Sequence, residues 1–189
     1  MRIVPAILTG DVIEARQLMD EVWRSGRFEK VQVDFVDGKY ANNLTIRPDE
    51  IDLTPYLSLD FEAHLMVTQT NVDEYKKMAI KIGFDKIIAQ VESISKPEEF
   101  ECLALDIHSP VEAIVPYLPR LKKVVLMAIE PGFGGQKLDI AVFEKLKELG
   151  KYKIEICVDG GVEQEHLEIL EKLGVSEIAV GAKRVLQWK

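Results

Sequence analysis

Short runs of valine, isoleucine and leucine recur at 3–8, 31–36, 61–66, 87–91, 102–107, 124–129, 154–158 and 178–180. Each has the length and composition of a buried strand, which predicts eight strands in all. Between most of them the apolar positions change to helical spacing. They are Val12, Ile13, Ala15, Leu18, Met19, Val22 and Trp23; then Val72, Tyr75, Met78 and Ala79; then Val142, Phe143, Leu146 and Leu149; and finally Leu167, Leu170 and Leu173. Gly83, Gly150 and Gly174 stand where left-handed C-caps would end three of these helices. Strand alternating with helix predicts parallel βαβ units, and eight such units can close into a barrel.

Two places break the repeat. The segment 92–102, ESISKPEEFEC, is too short for a full crossover helix after the fourth strand, and little chain follows the eighth strand before Lys189. The fourth helix is therefore expected to be vestigial, and the eighth absent or a single turn. Barrels of this class commonly run to about 250 residues, whereas this chain has 189, read as one domain over 1–189. A missing last helix would leave apolar barrel surface near strand eight, which allows a homo-oligomer.

If the strands close, alternation decides which side chains face inward. In VQVDFVDG (31–38), Gln32 and Asp34 share the face opposite Val31, Val33 and Phe35. The same reading points Glu62, His64 and Met66, Gln90 and Glu92, Ala104 and Asp106, Val125, Met127 and Ile129, and Glu155, Cys157 and Asp159 inward. The polar members crowd towards the carboxyl ends of the strands, where such barrels carry their sites. Asp34 and Asp159, on strands three steps apart around an eight-membered ring, face each other across a mouth with room for a small ligand between. That arrangement suits removing a proton from one face of a carbon and delivering one to the other. Both VDG (36–38) and VDGG (158–161) also read as strand-to-turn signals. Asp37 fits the turn role, while Asp34 lies inside its strand before any turn. His64 is the one histidine of three at an inward, upper-strand position. Cys157 reads as a small buried hydrophobe.

The glycine-rich IEPGFGGQK (129–137) follows strand six and precedes a helix, so its backbone N–H groups can converge on an anion. VDGGV (158–162) and VGA (180–182) bring two more small-residue turns to the same quadrant. Loops after strands seven and eight hold phosphate in many barrels of this kind.

Composition narrows the partners. A net charge of −8 argues against bulk electrostatic binding of nucleic acid or of an anionic membrane, so a bound phosphate has to be held by local geometry. Two cysteines are too few for a disulfide framework, and no run approaches a membrane span or a secretory leader. The expected compartment is the reducing cytoplasm.

VDFVDGKYANN (33–43), HLMV (64–67), MAIEPGFGGQ (127–136) and VDGGV (158–162) occur in this order across most of the chain and resemble the signatures of the ribulose-phosphate 3-epimerases. The resemblance implies an α/β fold, a (β/α)8 TIM barrel of ribulose-phosphate-binding type. It implies an isomerase of carbohydrate metabolism that interconverts D-ribulose 5-phosphate and D-xylulose 5-phosphate in the pentose phosphate pathway. In that chemistry two aspartates exchange the C3 proton while a divalent metal stabilises an ene-diolate. Carried over, Asp34 and Asp159 resemble the acid/base pair that also binds metal, and His64 resembles a metal ligand. Met66 and Met127 would lie near the reacting carbons. Gly134, Gly135, Gly160, Gly161, Gly181 and Ala182 would line the phosphate site.

The departures from the family pattern are Gln32 for a histidine, Ala6 for a serine, Val36 for a methionine, Gln90 for a histidine, Asp106 for an asparagine and Ala182 for a serine. With Gln32 in the ligand set, the donors suit Mg²⁺ or Mn²⁺ better than zinc or iron. Two alternatives to the epimerase remain: a non-catalytic sugar-phosphate-binding barrel, and an epimerase acting on another ketose phosphate.

Overall fold

In the computed structural model, which describes residues 1–188, eight parallel strands pair in chain order and close into a barrel. They are β1 (Arg2–Ile7), β2 (Lys30–Val36), β3 (Asp60–Met66), β4 (Lys86–Gln90), β5 (Cys102–Leu105), β6 (Lys123–Met127), β7 (Glu155–Asp159) and β8 (Glu177–Gly181). Pairing of β8 with β1, from Arg2 opposite Glu177 to Ala6 opposite Gly181, completes the ring.

Two full-length helices lie outside the barrel, α1 (Val12–Ser25) and α2 (Gln69–Ile82). Asp11 caps α1 by accepting from the Ile13 N–H at 2.8 Å, and Ala15, Leu18, Met19 and Val22 form its buried stripe at the expected spacing. Val12, Ile13 and Trp23, read from sequence as part of that stripe, are exposed. The shorter α3 (Ala141–Leu149) and α4 (Leu167–Lys172) follow β6 and β7, and α5 (Ala182–Val185) is the single turn expected after β8. After β4 only 3₁₀ turns at Val91–Ser93 and Pro97–Glu99 remain, so the fourth helix is vestigial as expected. The crossovers after β2 and β5 are also reduced to 3₁₀ turns. Prolines explain this: Pro48 and Pro55 open two of the turns, and Pro110, Pro116 and Pro119 punctuate the segment after β5. Each lacks the N–H that a continuing helix needs.

Three details differ from the sequence reading. Gly83 is a left-handed cap with φ 99°, but Gly150 is right-handed at φ −60° and ends α3 without that device. Gly174 has φ 82° but lies one residue beyond the cap of α4, which is Leu173. The outer face of β8 is not bare either. Ile178 and Val180 are buried, with Leu186 and Trp188 packed against the same core, so no uncovered strip on β8 calls for a second subunit.

Inside the barrel, Ala6, Ile88, Cys102, Ala104, Val125, Cys157 and Ala179 form a small apolar layer. Burial pushes the Cys157 thiol well above its ordinary pKa, in keeping with a packing role. Beneath this layer, at the amino-terminal ends of the strands, four charged side chains close the floor. Lys30 donates to Glu177 Oε1 at 2.6 Å and lies 3.0 Å from Glu62 Oε1, outside hydrogen-bond geometry. Lys123 donates to Glu62 Oε2 and, at 3.1 Å, to Glu177 Oε2. All four are at most 3% exposed. Signs alternate around the square, which is why four charges tolerate a site without water.

Candidate active site

Alternation in β2 and β3 puts Gln32, Asp34, His64 and Met66 inside the barrel, and β7 adds Asp159. Their side chains meet. The Gln32 amide Nε2 donates to Asp34 Oδ1 at 2.8 Å and to Asp159 Oδ2 at 2.7 Å, and His64 Nδ1 lies 3.3 Å and 3.2 Å from the same two oxygens. The acids therefore stand closer than two groups opposed across a mouth, since one oxygen of each is drawn to a shared amide and imidazole. Gln32 and His64 are wholly buried, while Asp34 and Asp159 are 7% and 6% exposed and form the inner end of a cavity of about 590 Å³.

Burial raises the pKa of Asp34, and the negative charge of Asp159 adds to this, against the opposing pull of His64. Burial works against a charged His64, yet hydrogen bonds to Asp159 and Asp34 lift it to about 9. The two acids thus favour the imidazolium form of His64 between them. The other ring nitrogen, Nε2, lies 3.0 Å from the Gln90 amide, whose Oε1 is buried without a partner when Nε2 of that amide faces the ring. With the amide turned over, its oxygen accepts from the imidazolium N–H and the orphan is satisfied.

Met66 and Met127 line the cavity near the acids, together with Ala6, and the turns after β6, β7 and β8 supply Gly134, Gly135, Gly160, Gly161, Gly181 and Ala182. The two acids, the two methionines and the turn residues expected at the phosphate end thus share one cavity, with Gln32 and His64 just beneath its surface. The Gly160 N–H donates to Ala179 O at 3.3 Å, so this residue shapes the turn and its own donor faces the barrel. Asn43 donates to the Gly132 carbonyl at 2.7 Å, and Gln136 Nε2 to the carbonyls of Glu130 and Phe133 at 2.8 Å, which fixes the loop after β6. Glu92 and Asp106, read as inward strand residues, lie past the ends of β4 and β5, where Glu92 Oε1 accepts from the Asp106 N–H at 2.8 Å. Asp37 is the turn residue expected: it accepts from the N–H groups of Lys39, Tyr40 and Thr68, and these hold its pKa at about 2 despite partial burial. Sequence reasoning missed Thr9, Gly10, Asn43, Gln136, Lys183 and Arg184 as lining residues. Of these, Asn43 and Gln136 stand inside quoted motifs, and their polar side chains beside glycine turns were the available signal.

Gly161 sets a local test. Its φ is 69°, and an added Cβ would lie 2.4 Å from Leu138 N and 2.6 Å from Leu138 Cα, both backbone atoms. Gly161→Ala is expected to lower stability by about 1–3 kcal/mol through backbone strain. Denaturant unfolding of the variant measures it, and a change within error would contradict this packing.

The chain matches the family model described as the ribulose-phosphate 3 epimerase family over residues 2–185. It is 28% identical to the ribulose-phosphate 3-epimerase of Bacillus subtilis (strain 168), covering 96% of this chain and 91% of that one. The enzyme of the same name from Helicobacter pylori (strain ATCC 700392 / 26695) is 29% identical over 96% of this chain and 89% of its own length. The cytoplasmic isoform from Oryza sativa subsp. japonica is 28% identical over 96% and 86%. Among solved structures, a mutant tryptophan synthase alpha-subunit from Pyrococcus furiosus superposes with a TM-score of 0.69 at 14% identity, covering 96% of this chain and 87% of that one. That likeness shows the shared barrel fold alone. By the match across nearly its whole length, the chain belongs to the ribulose-phosphate 3-epimerase family.

Proposed function

We propose that the protein interconverts D-ribulose 5-phosphate and D-xylulose 5-phosphate by proton transfer at C3, with Asp34 and Asp159 as the two acid/base groups. One observation carries this reading: carboxylates from β2 and β7 meet at the inner end of one cavity whose outer wall is built from glycine turns. One aspartate takes the C3 proton, the electron pair of the C–H bond moves toward C2 to give an ene-diolate, and the other aspartate returns a proton to the opposite face. Burial and the neighbouring Asp159 charge raise the pKa of Asp34, which makes it a stronger base than an exposed carboxylate. Gln32 and His64 hold one oxygen of each acid through N–H contacts and leave the carboxylates aimed at the cavity. Met66 and Met127 supply polarizable apolar walls beside the acids, where exclusion of water protects the intermediate. The turns carrying Gly134, Gly135, Gly161, Gly181 and Ala182 orient the sugar by its phosphate.

The residues present also fit a divalent cation. Ligand atoms of Asp34, His64 and Asp159 all lie within 4.8 Å of one another, and Gln32 Oε1 is buried with no partner. Turning the Gln32 amide over would aim that oxygen where its nitrogen now meets both carboxylates, and loss of the Nδ1 proton would free His64 as a donor. Two carboxylates, an amide oxygen and one imidazole favour Mg²⁺ or Mn²⁺ over zinc or iron. A bound cation would offset negative charge developing on the substrate oxygens. Two buried, unpaired cysteines are consistent with a cytoplasmic location, and no described helix is long and apolar enough to cross a membrane.

The test is to follow ribulose 5-phosphate by NMR with purified protein and Mg²⁺, Mn²⁺, Zn²⁺ or Fe²⁺ in turn. Xylulose 5-phosphate should form, fastest with Mg²⁺ or Mn²⁺. No conversion with any of these ions would overturn the proposal.

A further inference from the structure

The turn after β8 runs directly into Lys183 and Arg184, which line the same cavity wall as Gly181 and Ala182. In a chain of net charge −8, two adjacent cations at the glycine-built end of the site need a reason. Their surroundings differ. Arg184 Nη1 is 2.7 Å from Glu163 Oε1 and donates to the Val162 carbonyl at 3.5 Å, which fixes it between two groups. Lys183 Nζ donates to one carboxylate, Glu14 Oε1 on α1, at 2.5 Å, and its side chain is 69% exposed. The second oxygen of Glu14 accepts from the hydroxyl of Thr9, another residue of the cavity wall.

We propose that Lys183 is a phosphate-binding residue of this site, held by Glu14 in the free protein and exchanging that carboxylate for the substrate's phosphate on binding. This deepens the sugar-phosphate reading and rests on it. An exposed lysine–carboxylate pair is weak and easily parted. A phosphate dianion offers more charge and three acceptor oxygens, and a lysine on its flexible stem adapts its three donors to either partner. Glu14 keeps the Thr9 hydroxyl when the lysine leaves, so the exchange strands no buried charge. The glycine and alanine turns around it contribute backbone donors only, which makes Lys183 the mobile cation that selects a phosphorylated ligand.

Calorimetric titration with inorganic phosphate tests this without requiring turnover. Lys183→Met is expected to weaken phosphate binding about tenfold. Glu14→Gln should tighten it about two- to threefold by releasing the lysine. Lys172→Met removes the same charge from a surface pair with Glu168 on α4 and should change nothing. In the conversion assay, Lys183→Met should raise KM for ribulose 5-phosphate with kcat within about twofold, and Lys183→Arg should recover most of the loss. Unchanged phosphate affinity in Lys183→Met, a wild type that binds no phosphate, or an equal loss in Lys172→Met would overturn the assignment. Absence of turnover with the phosphate effects intact would support Lys183 and count against the epimerase reading alone.

Discussion

Asp34→Asn is expected to reduce conversion of ribulose 5-phosphate by about 10²–10⁴-fold, the range for losing a positioned general acid or base. The substitution keeps the shape of the side chain and an oxygen able to accept from Gln32 Nε2, now 2.8 Å from Asp34 Oδ1. It removes the ability to take up a proton from carbon. Asp34 sits at the inner end of the cavity with 7% of its surface exposed, so bulk water is poorly placed to stand in for it. KM should change much less than kcat, because the glycine turns of the cavity's outer wall are untouched. Parallel unfolding curves guard against misreading a collapsed site as lost chemistry. Activity within tenfold of wild type would remove Asp34 from the reaction.

The largest stability effect is expected on the opposite side of the barrel. Lys123→Met leaves Glu62 and Glu177 facing each other with Lys30 as their remaining fully buried partner, and breaking a buried ion pair from one side costs about 3–5 kcal/mol. Burial alone would suppress the charge on Lys123, yet Cys157 and then the Glu62 and Glu177 carboxylates raise its pKa above the lysine range. Glu177 reports the same coupling: burial would raise its pKa, but Lys123 and Lys30 bring it from 4.5 down to about 2. Its contribution to stability is therefore complete above about pH 4.5 and is lost as the pH falls through about 2. Guanidinium unfolding should show the loss in Lys123→Met, and Glu62→Leu added to it should restore part by removing the acid left without a hydrogen-bond donor. A loss below about 1 kcal/mol would place the square among pairs that add nothing measurable.

Much of the barrel was legible because its strands alternate and its interior carries chemistry. A carboxylate at Asp34 between Val33 and Phe35 has no structural use on a buried strand unless something meets it, and Gln32 and His64 do, sharing themselves with Asp159. The floor was less legible for a local reason. Lys30, Lys123 and Glu177 each sit at the first position of a strand, where a charged residue before an apolar run reads as the end of a loop. Only closure of the ring brings them together with Glu62. The reduced crossover after β4 is readable from its length, whereas the reduction after β5 was not anticipated, because apolar residues at helix-like spacing accompany Pro110, Pro116 and Pro119 there. Lys183 escaped notice because the small-residue turn before it reads as complete at Ala182, and its partner Glu14 is 169 positions away in the chain.

Two acids serving one carbon leave a mark in the product. Ribulose 5-phosphate incubated with the protein in D₂O, sampled by NMR, should gain a single deuterium at C3 as xylulose 5-phosphate appears, and Asp34→Asn and Asp159→Asn should each slow the conversion by at least about 10²-fold. Conversion that leaves the C3 hydrogen in place, or that stays within about tenfold of wild type in either variant, would contradict a proton relay between Asp34 and Asp159.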